Sequence, residues 1–169
     1  MGNNNRDQGR DRELGRFWET KFGEIIVPLG FSFHRQPPPG IDGISWGTSG
    51  AIIIVQIRHK EPWNWSDIGE CYGYERYRLN RDMELARKGE HVIYVIHDHR
   101  RYGRDSQVND LEDWFAQDIE FLFHNVDVER VGPTYFGETY VKKPICYWTI
   151  NKFEPLDIFL PKLKKEPSW

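Results

Sequence analysis

Four polar residues could do chemistry together if the chain brings them to one place. Asp42 stands fourteen residues before Gln56, and Gln56, Arg58 and Lys60 alternate through the end of Ala51-Ile52-Ile53-Ile54-Val55-Gln56-Ile57-Arg58-His59-Lys60. Strand side chains alternate, so Ile52, Ile54, Gln56, Arg58 and Lys60 share one face. Ala51, Ile53, Val55, Ile57 and His59 share the other. The first half is apolar on both faces, as in a central strand, and then one face turns polar. Such a group is costly in a half-buried strand unless it has a partner. One account is that the strand simply emerges into solvent here. The other begins with Asp42. A short strand, Ile41 to Trp46, and the turn Gly47-Thr48-Ser49-Gly50 join it to the long strand as a hairpin, which brings Asp42 near Gln56 and Arg58. An acid, an amide oxygen and a cation at one end of a sheet can hold Mg²⁺ and a phosphate together.

The elements that must position these groups are legible from periodicity. Residues 1–10 are polar, rich in Gly and Asn, and expected to be flexible. Leu14, Phe17, Trp18, Phe22, Ile25, Ile26 and Leu29 recur at three- and four-residue steps, predicting a helix ended near Pro28 and Gly30. Phe31 to Arg35 alternates as a strand, and Pro37-Pro38-Pro39-Gly40 forces an extended loop. After the hairpin, Ser66 looks like an N-cap for a helix running to about Lys88 and Gly89. His91 to His97 reads as a buried central strand. A polar loop to Val108 leads to a helix capped by Asn109 or Asp110 that carries Leu111, Trp114 and Phe115. A strand at about 120–124, a hairpin over 134–151 and a Pro/Lys-rich tail from Lys152 to Trp169 complete the order. The expected organisation is one domain over 11–151 with a tail at 152–169. Helices flanking a mixed sheet make this an α/β chain.

Composition excludes several classes. With 169 residues, 38% of them apolar and 15% aromatic, the chain can build one sizeable core. A net charge of −3 and a pI near 6.1 rule out a uniformly basic coat, although a local basic surface is compatible with them. Cys71 and Cys146, expected on a helix and a strand, give neither a disulfide framework nor a zinc site. The first residues lack an apolar signal segment, and the longest apolar run, Ala51 to Val55, is far too short to span a membrane. An intracellular protein, in the cytoplasm of a cell or host cell, is expected. Gly40, Gly43, Gly47 and Gly50 do not open a helix, so no phosphate loop is read here.

The segment from Glu13 to Lys60 resembles the core of the PD-(D/E)XK nuclease superfamily, especially Holliday-junction resolvases and Mrr-like restriction endonucleases. Gly15-Arg16-Phe17-Trp18-Glu19 and the ending Leu29-Gly30-Phe31 look like the first helix of that family, with Glu19 at the expected place. Asp42 matches the motif Asp, and Gln56-Ile57-Arg58 falls on its (E/Q)-x-K tripeptide. The resemblance covers roughly the first 100 residues. It implies a restriction-endonuclease-like mixed sheet flanked by helices, here with an added C-terminal hairpin and tail, and a metal-dependent DNA endonuclease, resolvase-like in preferring branched structures. A catalytically impaired nucleic-acid-binding or interaction module on the same fold is the alternative. Asp42, Gln56 and the carbonyl of Ile57 would hold Mg²⁺ or Mn²⁺. Glu19 would bind a second ion or a metal-bound water, and Arg58 or Lys60 would stabilise the phosphate. Two departures matter: Gln supplies a neutral oxygen where the family more often has Glu, and Arg58 stands where it has Lys. Glu70, expected on the second helix, is the candidate for a substitute acid.

DNA is the implied partner, and two strand cuts imply a homodimer. Arg16, Arg35, Trp63, Arg76, Arg100 and Arg101 are the candidate DNA contacts. The counter-readings are ion pairs for the basic residues of the second helix, which are mixed with Glu75, Asp82, Glu84 and Glu90, and packing under a loop for Trp63 and Trp65.

Overall fold

The computed structural model describes residues 17–35, 43–46, 52–59, 62–98, 111–136 and 139–165. Residues 17–26 form helix α1. Trp18, Phe22, Ile25 and Ile26 make its single buried stripe, as their spacing predicts. A 3₁₀ turn at Val27–Leu29, with Pro28 inside it, unwinds the helix, and Gly30 closes it at φ 91°. That left-handed backbone suits a residue without a Cβ.

The strands, in chain order, are β1 (Ser32–Arg35), β2 (Gly43–Trp46), β3 (Ile52–His59), β4 (Trp63–Trp65), β5 (Gly69–Glu75), β6 (His91–His97), β7 (Trp114–Asp118), β8 (Val128–Phe136), β9 (Thr139–Thr149) and β10 (Glu154–Pro155). The remaining helices are α2 (Arg76–Arg87), α3 (Ile119–His124) and α4 (Leu156–Lys165). They build a mixed sheet in the order β1-β2-β3-β6-β7-β10 and an antiparallel one in the order β4-β5-β9-β8. In the first sheet β3 runs parallel to β6, and the other pairs are antiparallel. The expected α/β class, with a mixed sheet between helices, is what forms.

Four local expectations are corrected. The segment from Ser66 is first a turn and then strand β5, and the helix begins only at Arg76. Tyr72 and Tyr74 alternate into the core, and that period of two, not the N-cap signal at Ser66, decides the element. Residues 109–115 do not form a helix: Leu111–Asp113 is a 3₁₀ turn leading into β7. Trp114 and Ala116 face one core and Phe115 the other, again strand periodicity. The expected strand at 120–124 is helix α3, capped where the Asp118 carboxylate accepts the Glu120 N–H at 3.0 Å. The supposed tail folds back as α4, with Leu156, Phe159, Leu160 and Leu163 buried.

Two cores lie on the two faces of the first sheet. On one, α1 and α4 cover Ile53, Val55, Ile57, Ile93, Val95 and Trp114. On the other, α2, α3 and the second sheet cover Ile54, Tyr94, Ile96 and Phe115 with Tyr72, Tyr74, Leu79 and Trp148. Every strand residue from Val92 to His97 is buried, as expected for a central strand covered on both faces. Polar tips inside the second core are paired: the Trp148 indole donates to the Leu122 carbonyl at 2.8 Å, and the Tyr94 hydroxyl to the Gly73 carbonyl at 3.0 Å. Cys71 and Cys146 are buried free thiols, and burial is the main force pushing their pKa values up, to about 11 and about 12.

The second sheet is closely packed at Gly73. A Cβ there would stand 2.8 Å from Tyr147 Cε1 and 3.2 Å from Ile145 Cγ2, between two neighbours on the same strand. Gly73→Ala is therefore expected to cost about 1–3 kcal/mol, read as a lower urea midpoint at unchanged slope. Gly132→Ala meets only the flexible end of Ile145 and should cost less.

Candidate active site

Strand β3 lies between β2 and β6, and its alternation sorts its residues as the sequence predicts. Ile53, Val55 and Ile57 face α1 and α4, while Ile54 and Gln56 face α2. Gln56 is completely buried. The strand does not emerge into solvent at this point; the polar switch enters a polar network.

That network centres on Asp82, a wholly buried residue of α2. The Gln56 amide Nε2 donates to Asp82 Oδ1 at 3.0 Å, and the Tyr74 hydroxyl donates to Oδ2 at 2.6 Å. Burial pushes the Asp82 carboxyl above the usual carboxylate range, against the pull of these bonds and of Arg81 and Arg58. Tyr74, itself buried beside this carboxyl, has its pKa raised well above the ordinary value, chiefly by burial. An ionised carboxylate only accepts hydrogen bonds, so Asp82 fixes the amide of Gln56 with its nitrogen inward. The amide oxygen is then the atom Gln56 offers to a cation.

Arg58 is half-buried, with its guanidinium 5.8 Å from the centre of the Tyr74 ring. Its Nη1 donates to the carbonyl oxygen of Ile57 at 2.7 Å. This oxygen is one that the superfamily resemblance assigns to the metal, and here it holds a positive group of the chain itself. The polarity of the spot thus suits a cation, and the oxygens of Gln56 and Ile57 are hard donors of the kind Mg²⁺ or Mn²⁺ takes. Each Asp82 oxygen accepts one hydrogen bond, from Gln56 and from Tyr74. Among the described residues, no three His, Cys, Asp or Glu side chains gather in a metal-holding group.

Several of the other predicted site residues fall outside the described ones. Asp42 and Lys60 lie outside the described residues, as do Arg16, Arg100 and Arg101. Gly43, next to Asp42 in the chain, pairs with Val55, next to Gln56. Glu19 is half-buried on α1, where its neighbour Trp18 stacks on His97 with ring centroids 3.8 Å apart. Helix α1 covers the face of the sheet opposite Gln56. Arg35 ends β1, opposite Gly43. Glu70 is exposed on β5 rather than helical; among the described residues, an acid bonded to Gln56 is Asp82. Its sequence signal was present, an acid on the inward face with Leu79, Met83 and Ala86, but a helix misplaced to begin at Ser66 hid it.

The candidate DNA contacts divide in the same way. Arg76 is tied to Glu129 at 2.5 Å, and Arg78 and Arg87 pair with Glu75 and Glu84. The ion-pair account of this helix therefore holds for these three. Trp63 is 56% exposed on the edge strand β4, its ring 5.8 Å from that of Trp65, and it is not packed under a loop. At the opposite end of β6, Glu90, His91, Asp118 and Glu120 line a shallow hollow, too acidic to receive a phosphate.

The fold is similar to that of a Holliday junction resolvase. The solved structure is Hjc of the archaeal hyperthermophile Archaeoglobus fulgidus, with a TM-score of 0.50 over 82% of this chain and 90% of that one, at 9% sequence identity. No family model matches the sequence, and neither does any curated protein. Among the described residues, no helix is long and apolar enough to cross a membrane.

Proposed function

We propose that this chain is an endonuclease that hydrolyses DNA phosphodiester bonds with Mg²⁺ or Mn²⁺, preferring branched DNA, and that it works as a homodimer. The observation that carries this reading is the pairing of Gly43 with Val55 on the strand that presents Gln56 and Arg58. Asp42 and Gln56 are the chain neighbours of that pair. The likeness of the fold to a Holliday junction resolvase supports the choice of DNA.

Asp42, the amide oxygen of Gln56 and the carbonyl of Ile57 would hold the ion. When bound, such an ion polarises a phosphoryl oxygen and lowers the pKa of an attacking water. Asp82 acts as a positioning residue, because it fixes which end of the Gln56 amide faces the site. Arg58 carries a permanent charge that clamps a phosphate oxygen but does not exchange protons near neutral pH. Lys60 is the group assigned to orient the nucleophile. Glu19, whose helix covers the other face, is left out of the direct ligand set.

The test is cleavage of linear, flapped and four-way DNA with Mg²⁺ or Mn²⁺. Asp42→Ala is expected to slow cleavage by at least about a hundredfold while leaving DNA binding intact. Equal products from both proteins would overturn the proposal. The hold of Arg58 on the Ile57 carbonyl favours a second reading, DNA binding without cleavage, and binding with no products from wild type would select it.

A further inference from the structure

We propose that the outer face of the second sheet holds unpaired DNA, its bases stacking on Trp63 at the open end of an aromatic row. The inference rests on the reading of DNA as the partner and needs neither a bound ion nor cleavage. Alternation along β5 turns Tyr72 and Tyr74 into the second core and leaves Gly73 on the opposite face. On that face the Tyr147 ring lies against Gly73, where a Cβ would stand 2.8 Å from its Cε1. The Trp65 ring meets Tyr147 edge-on at 5.5 Å, and the Trp63 ring stands 5.8 Å from Trp65. The row is thus buried at Tyr147 and open at Trp63, which is 56% exposed.

A lone exposed apolar side chain is ordinary on a protein surface, whereas an open ring at the end of an anchored row is a ready stacking partner. Strand β4 pairs Trp63 with Cys71, and the Cys71 thiol donates to the Trp63 carbonyl at 3.3 Å. The ring is therefore positioned before a base arrives, which lowers the ordering cost of binding. Its neighbour Trp65 is backed by Arg130, whose guanidinium lies 4.4 Å from the ring centre. Arg130 and Lys143, opposite Ile145 and Gly132 in the pairing of β8 with β9, put positive charge on this face. That charge complements a phosphate backbone. The acids Asp67 and Glu75 are held in ion pairs by Arg130 and Arg78. Bases in a duplex are stacked on one another and present only their edges, so an open ring favours an unpaired strand. Trp63 follows Arg58 by five residues, and the chain keeps it within about 18 Å of the polar end of β3. An unpaired arm of branched DNA would thus be held beside that end.

The test is binding by the full chain in EDTA, followed by the fluorescence anisotropy of a labelled oligodeoxythymidine and of a duplex of the same length. Trp63→Ala is expected to weaken binding of the single strand about tenfold or more, and of the duplex less than about twofold. Trp63→Phe keeps a ring and should retain most of the affinity. If Trp63→Ala loses its cooperative unfolding transition, Trp63→Leu removes the ring but keeps apolar bulk and serves with the same expectation. A single strand that wild type does not bind, or that a folded ringless variant binds as well, overturns the proposal. Equal losses on strand and duplex overturn it too, and tighter binding of oligouridine overturns DNA as the occupant. A dimer that Trp63→Ala disperses, with affinity for the strand unchanged, assigns the face to a second copy instead. The cleavage assay keeps the two readings apart. Products from branched DNA beside strand binding indifferent to Trp63 leave the nuclease standing and remove the stacking face. Strand binding that needs the Trp63 ring, without products from wild type, leaves the stacking face standing and removes the nuclease.

Discussion

Ending the chain after Pro155 is expected to abolish cooperative unfolding altogether. The removed segment begins with α4, whose Leu156, Phe159, Leu160 and Leu163 are buried against α1 and β7. Burying four such side chains stabilises the fold by about 6–12 kcal/mol at the usual 1.5–3 kcal/mol each. That is comparable with the whole stability of about 5–15 kcal/mol for a domain of this kind. The truncated chain would also expose the face of the first sheet that carries Ile57, Val95 and Trp114. Circular dichroism during heating should show a broad slope in place of a transition, with strong binding of a hydrophobic dye at room temperature. A sharp transition within a few degrees of the full chain would show that α4 is dispensable.

Asp82→Ala is the second change with a large expected effect, at about 3–5 kcal/mol. It removes the acceptor of both the Gln56 amide and the Tyr74 hydroxyl, and a counter-charge of Arg58, from a site with no exposed carboxyl surface. Asp82→Asn keeps the shape but turns a donor toward one of those two donors. It should cost about 1–3 kcal/mol, read from urea midpoints. The pH dependence separates charge from shape. Burial holds the folded Asp82 carboxyl above its unfolded pKa, so its contribution is fully present below the ordinary carboxylate range. That contribution is lost as pH rises through the raised folded value. The stability advantage of wild type over Asp82→Asn should therefore shrink as pH climbs above the ordinary carboxylate range. Asp127 shows the reverse pattern. Burial works against it, but bonds from Lys152 and the Thr149 N–H outweigh burial and lower its pKa. Its contribution is lost as pH falls through the lowered value, and it cancels between the two proteins. A wild-type advantage that grows with pH would refute the assignment.

Local period and turn residues were a sound guide for some elements and a poor one for others. Helix α1 and strands β1 to β3 and β6 stand where apolar spacing and turn residues put them. In β5, β7 and α3 tertiary packing overrode local signals. Tyr72 and Tyr74 face inward because β9 pairs beside them, and no window around Ser66 contains β9. Trp114 to Ala116 is apolar on both faces, a run whose period does not distinguish helix from strand. The polar face of β3 was legible from Gln56 and Arg58, whereas its partner Asp82 was concealed by the displaced start of α2. Leu156, Phe159, Leu160 and Leu163 have helical spacing, but the lysines and prolines among them looked like a solvated tail.

The two cysteines give the second sheet a property of a different kind. Cys71 on β5 and Cys146 on β9 are held as neutral thiols by burial, with pKa values of about 11 and about 12. Oxidation and alkylation go through the thiolate, which is scarcely present at such values near neutral pH. Oxidant and reductant alike should pass these sulfurs by for as long as β5 and β9 stay paired. The sheet is therefore held by strand pairing without a covalent clasp, and its integrity is indifferent to the redox state of its surroundings.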